Sequence, residues 1–117
     1  MKVIIKLLII AVLISVSIYG FNYLSLKMPA NEITNVDERN NGIIYDVHYN
    51  YHIVSSTLIY NLKNIPADKA PADVFRVFIQ TSSALKDKNF DKVELAYKGK
   101  TKFVIKGDYF AKIGQEF

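Results

Sequence analysis

The chain has 117 residues, a formal charge of +4 and no cysteine. That length accommodates one domain, and the missing thiols exclude disulfides, thiolate metal sites, cysteine nucleophiles and lipid attachment through an N-terminal cysteine. Lys2, Lys6 and Lys27 supply three of the four excess charges, so the rest of the chain is near neutral and gives no reason to expect a nucleic-acid partner.

Residues 7–26, LLIIAVLISVSIYGFNYLSL, contain no charged side chain. A helix of about 20 such residues crosses a bilayer, and no polar face marks the run as a buried core helix. Lys2, Lys6 and the terminal amine precede it while Lys27 alone follows. That asymmetry places the N-terminus in the cytoplasm and the remainder across the membrane. Two fates fit the segment. Ser15 and Ser17, or Gly20, offer a signal-peptide cleavage site. Phe21, Tyr23, Leu24 and Leu26 carry the apolar character past it, and Tyr19 and Tyr23 suit an interfacial aromatic belt, which favours an uncleaved anchor.

Residues 27–42, KMPANEITNVDERNNG, turn polar, with Pro29, four asparagines and three carboxylates. They read as a spacer that holds the domain off the bilayer. The expected organisation is a signal-anchor or signal peptide over 1–27, a polar linker over 28–42 and a small extracytoplasmic domain over 43–117.

In that domain, residues 43–53 alternate. Ile43, Tyr45, Val47, Tyr49, Tyr51 and Ile53 share one face, and Asp46, His48, Asn50 and His52 share the other, which predicts a strand with one buried side. The phase flips at Ser55-Ser56-Thr57, so a turn or bulge should lead into a second strand over 57–63. A helix is expected next, opened by Pro71, capped by Asp68 and ended near Lys88 by a left-handed Asn89. Val74, Phe75, Phe78, Thr81 and Leu85 form its apolar face. Residues 92–105 read as a hairpin. A three-residue loop, Lys98-Gly99-Lys100, opposes Tyr97 to Thr101, Leu95 to Phe103 and Val93 to Ile105, whereas a two-residue loop would set Leu95 against Lys102. A last helix capped by Asp108 aligns Tyr109, Ile113 and Phe117. The fold class is therefore α+β: an antiparallel sheet with one long helix packed on one face, in the order β-β-α-β-β-α, behind a single N-terminal transmembrane or signal helix.

Two groups of side chains are candidates for binding. Asp46, His48, Asn50 and His52 form a polar strand face. Neighbours two apart lie about 6.6 Å from each other, but His48 and His52 are about 13 Å apart and cannot chelate one ion. A solvated strand face is therefore the reading, with a polar recognition surface as the lesser alternative, and no metal or other cofactor is expected. Lys98, Lys100, Lys102 and Lys106, with Lys112, crowd the last quarter, with Lys102 and Lys106 on the outward face of the last strand. They suit an envelope protein, an anionic lipid or a polymer, and also blunt a sheet edge. Asp68, Asp73, Asp87 and Asp91 sit where caps and turns use carboxylates, no serine lies in a nucleophile elbow, and the five glycines are scattered singly. An enzyme is not expected.

The segments IPADKAPADVFRVF and LAYKGKTKFVIKGDYFAKIGQEF, within residues 65–117, resemble small bacterial envelope proteins of unknown function. The resemblance implies an N-terminal signal, anchor or lipid-attachment segment, and this chain departs from the lipid-attached kind by lacking cysteine. The expectation is a non-enzymatic accessory or binding module, tethered to the bacterial inner membrane and facing the periplasm. The alternative is a secreted or periplasmic ligand carrier or protein inhibitor released by signal cleavage.

Overall fold

The structure, a computed structural model, describes residues 1–51 and 54–116. Helix α1 (Lys2–Asn22) runs through one π turn (Tyr23–Lys27) directly into α2 (Met28–Thr34). The result is one continuous helical rod of 33 residues, Lys2–Thr34. Its front part is an apolar helix long enough to span a membrane or to act as a signal. Its rear part belongs to the domain, because Asn22, Leu26, Ala30 and Thr34 recur every four residues along one stripe and all four are buried. The expected spacer is thus corrected over 28–34. The polar residues there lie on the outer side of a helix, and Ala30 and Thr34 are small enough to let its backbone lie close to the domain.

Strands β1 (Ile44–Asn50), β2 (Val54–Asn64), β3 (Lys92–Tyr97) and β4 (Lys100–Lys106) form one sheet in the order β1-β2-β3-β4. The outer pairs are antiparallel, but β2 and β3 run parallel. The sheet is therefore mixed, which corrects the antiparallel expectation. Between β2 and β3 lies α3 (Pro71–Leu85), about 22 Å long at 1.5 Å per residue. It carries the chain back along the sheet, so the next strand starts at the end where β2 started. A short helix, α4 (Gly107–Glu116), follows β4.

One hydrophobic core joins Leu26 and Ala30 of the rod, Val77 and Leu85 of α3 and Phe110 of α4 to Tyr45, Val47, Tyr49, Leu58, Tyr60, Leu62 and Val93 of the sheet. Phase and register differ from expectation at several points. Tyr51 has φ 51° and is 80% exposed, so β1 ends before it and the ring leaves the core face. Ile53, His52 and Phe117 lie outside the described residues. The pairing jumps from Tyr49↔Leu58 to Asn50↔Val54, so 55–57 form the irregularity that the phase flip announced. Helix α3 ends at Leu85, and Asn89 is not left-handed. Its N-cap is Ala70, whose N–H is accepted by the Asp73 carboxylate at 2.8 Å. In α4 the inward residues are Gly107, Phe110 and Gly114, while Tyr109 is exposed. The expected stripe was one position out of phase, because Gly114 lets α4 approach α3: a Cβ there would stand 2.2 Å from the Ser82 carbonyl oxygen.

The segment between α2 and β1 is clasped to α3 by polar side chains. Asp37 accepts from Arg39 Nη2 at 2.6 Å and from Gln80 Nε2 at 2.9 Å. Asn40 donates to the Thr34 carbonyl and to Gln80 Oε1, and accepts from Arg76 Nε. The hydrogen bonds from Arg39 and Gln80 hold the Asp37 carboxyl well below the ordinary carboxylate value of 3.8. A carboxylate whose folded pKa is depressed contributes stability above the unfolded pKa and loses it as pH falls toward the folded one. The urea midpoint should accordingly drop between about pH 4 and about pH 2. Asp37→Asn should flatten that drop, and an unchanged acid slope would remove Asp37 as its source.

Candidate functional site

The polar face of β1 is divided by the tertiary structure. Asp46 and His48 line a cleft of about 300 Å³ with Tyr19, Asn22, Tyr23 and Lys27, where the helical rod meets the strand. Asn22 accepts the Tyr49 N–H through Oδ1 at 2.8 Å, and Phe21 stacks on Tyr49 with ring centroids 5.4 Å apart. Lys27 donates to the Tyr45 carbonyl and sits 3.6 Å above the Tyr45 ring. Burial lowers its ammonium pKa to about 8, against the opposing pull of Asp46. His48 Nδ1 lies 2.8 Å from the Tyr49 carbonyl oxygen, a hydrogen bond that needs its proton on Nδ1. Asn50 lies outside that cleft, in a shallow hollow on the outer side of the sheet with Asn61, Glu94 and Thr101, and His48 borders this hollow as well as the cleft. Among the described residues no three histidine, aspartate or glutamate side chains are grouped to hold a metal ion.

The lysine hairpin is built differently from its sequence expectation. Tyr97 pairs with Lys100, leaving a two-residue turn of Lys98 (φ 50°) and Gly99 (φ 84°). Left-handed backbone at both positions matches the strand twist, and the second position takes glycine. The pairing then runs Ala96↔Thr101 and Leu95↔Phe103, with Lys102 as the extra residue of a bulge. The tight turn and the apolar register are reconciled by that bulge. Lys102 therefore leaves the outward alternation expected of it with Lys106 and lines a groove beside Phe103. Lys98, Lys100, Lys102 and Lys106 are all exposed.

That groove is the feature that sequence reasoning missed. It holds about 320 Å³ between α3 and the β3–β4 hairpin, with Tyr60, Leu62, Phe78 and Leu95 in its lining. Phe75 and Phe103 stand at it 66% and 70% exposed. Helical spacing puts Phe75 on the covered face of α3, but the structure buries Val77 there instead. The residue opposite the gap is Phe103, because β4 lies at the edge of the sheet and α3 and α4 do not cover it. A signal existed: Phe103-Val104-Ile105 is a large apolar run for a strand whose neighbours are lysines. At the groove the Tyr60 hydroxyl is buried and has no hydrogen-bond partner among the described residues.

Fold and surface together define a class: a small α+β domain with a four-stranded mixed sheet, carried on a single N-terminal apolar helix long enough to span a membrane or serve as a signal. No family model, curated protein or solved structure matches the chain.

Proposed function

We propose that the chain is a non-enzymatic binding module of the bacterial envelope, tethered to the inner membrane by residues 2–21 and facing the periplasm. The observation that carries this reading is the undivided rod Lys2–Thr34, whose apolar front has no buried residue before Asn22 while its rear stripe lies in the core. An apolar helix of that length is not stable in water, so lipid must cover it or cleavage must remove it. Residues 2–21 rise about 30 Å, one hydrocarbon thickness. Tyr19, Phe21 and Tyr23 are exposed at the level where the domain begins, as interfacial aromatics would be. Lys2 and Lys6, in the first turns of the span, can extend to its cytoplasmic interface and support the cytoplasmic N-terminus. The tether is stiff, so the domain meets its partners in one orientation and close to the bilayer.

A released ligand carrier or inhibitor is the second reading. The packed stripe begins at Asn22, so cleavage at Ser17 or Gly20 would leave every buried helix residue on the product. Intact mass of the native protein after separation of membrane and soluble fractions decides between them. Full-length protein in the membrane is the expected result, and a shortened soluble product would replace the tether with release.

A further inference from the structure

We infer that the exposed edge of β4, with the Phe75–Phe103 groove beside it, takes an extended acidic segment of a partner protein as a fifth strand. This inference rests on the reading of the domain as a binding module and names the chemistry of its partner. Three independent features of the hairpin converge on it.

The first is the backbone. Among the described residues β4 pairs only with β3, so half of its N–H and C=O groups point away from the sheet and can be met by another strand. The second is the apolar groove. On a strand laid along β4, alternate side chains fall on the side where Phe103 and Ile105 point. There they would cover Phe75 and Phe103, the two large rings left mostly in water. The third is charge. Lys98, Lys100, Lys102 and Lys106 fall within nine consecutive positions, and the Glu94 carboxylate is engaged by Thr101 Oγ1 at 3.3 Å. An incoming segment that alternates large apolar and acidic residues answers both features.

The same charges argue against two other occupants. A second copy pairing antiparallel through β4 would oppose Lys102 to itself in one register and Lys100 to Lys106 in the next, and directly opposed like charges destabilise a ladder. The headgroups of the anchoring membrane are poorly placed for Lys98, Lys100 and Lys102; Lys106 alone, opposite Lys92 and so Thr57, lies beside the Tyr49 row. The rod meets the sheet at Tyr49 first and reaches Tyr45 later, with Asn22 on Tyr49 N–H and Thr34 on the Tyr45 hydroxyl. Tyr45 pairs with Leu62, Leu62 with Tyr97 and Tyr97 with Lys100. The hairpin tip therefore lies about 13 Å farther from the membrane-side end of the sheet than the Tyr49 row does.

The test uses the full chain in nanodiscs of zwitterionic lipid. A library of short random peptides is panned on it and subtracted against the Phe103→Ser chain. The expected enrichment is in segments alternating apolar and acidic residues. The best of these should bind at least about tenfold more weakly to Lys100→Glu/Lys102→Glu, a loss of about 1.4 kcal/mol. Because the chain has no cysteine, Thr101→Cys should form a disulfide with a cysteine-bearing version of that peptide at one register only. Methylating alternate backbone amides leaves side chains and charges in place, so one of the two methylation frames should abolish binding and the other spare it. Equal binding of both frames would show a charged coat rather than a strand and overturn the inference. So would enrichment no different from that on Phe103→Ser, or lysine-dependent recruitment only to vesicles of anionic lipid. Concentration-dependent dimerisation that Phe103→Ser removes would assign the edge to a second copy. Finding the chain soluble and shortened would overturn the tether alone, since the same panning can be read on the released product.

Discussion

Replacing Phe110 with alanine should cost the folded domain about 3–5 kcal/mol. Phe110 is fully buried, and its ring meets Phe78 and Phe90 edge-on at centroid distances of 5.9 and 6.0 Å. It is the one large side chain by which α4 fills the space between α3 and the sheet. Truncation leaves a cavity that the surroundings cannot close, because α4 is already held against α3 at Gly114. A domain of this size is stable by about 5–10 kcal/mol, so the loss should move the urea midpoint by a third of its value or more. Tyr109→Ala supplies the contrast. Its ring is exposed, and an exposed site away from special features changes stability by about 0.5 kcal/mol at most. A larger effect at Tyr109 than at Phe110 would mean that α4 sits in the phase drawn from its sequence rather than the one described above.

The second large effect is at Leu26. It is completely buried while Leu24, on the same rod, is 60% exposed. Leu26→Ala should destabilise the domain by about 2–5 kcal/mol, read as the urea midpoint of the tyrosine signal in mild detergent. Leu24→Ala should leave that midpoint nearly unchanged. If the anchor ran to residue 27 and a spacer followed over 28–34, the two substitutions would be equally silent. The pair therefore tests whether the helix that leaves the apolar span is itself part of the domain.

Much of the local structure was legible from residue order. The uncharged run 7–26 announced an apolar helix, because its length and composition need no tertiary information. Period-two alternation at Tyr45, Val47 and Tyr49 located the inward face of β1, and the break of phase near Ser55 located an irregularity. Leu95↔Phe103 and Val93↔Ile105 followed from matching apolar residues across the hairpin.

What the residues alone did not decide were relations between elements. Whether β3 runs parallel to β2 depends on which end of the sheet α3 returns to, and helix periodicity is silent about that. Residues 28–34 looked like a spacer because their polar side chains are the visible part. The small residues Ala30 and Thr34 become informative only against the sheet they touch. The hairpin needed a bulge at Lys102 to satisfy both turn and register, a choice made by the ladder as a whole. The polar residues of β1 looked like one uniform face until the rod drew Asp46 into its cleft, left Asn50 outside and set His48 at the border of both. Composition and periodicity thus determined an apolar entry helix and an α+β domain. Packing determined where the rod ends, how the sheet is wound and why Phe75 and Phe103 remain uncovered, since burial belongs to pairs of surfaces and not to single segments.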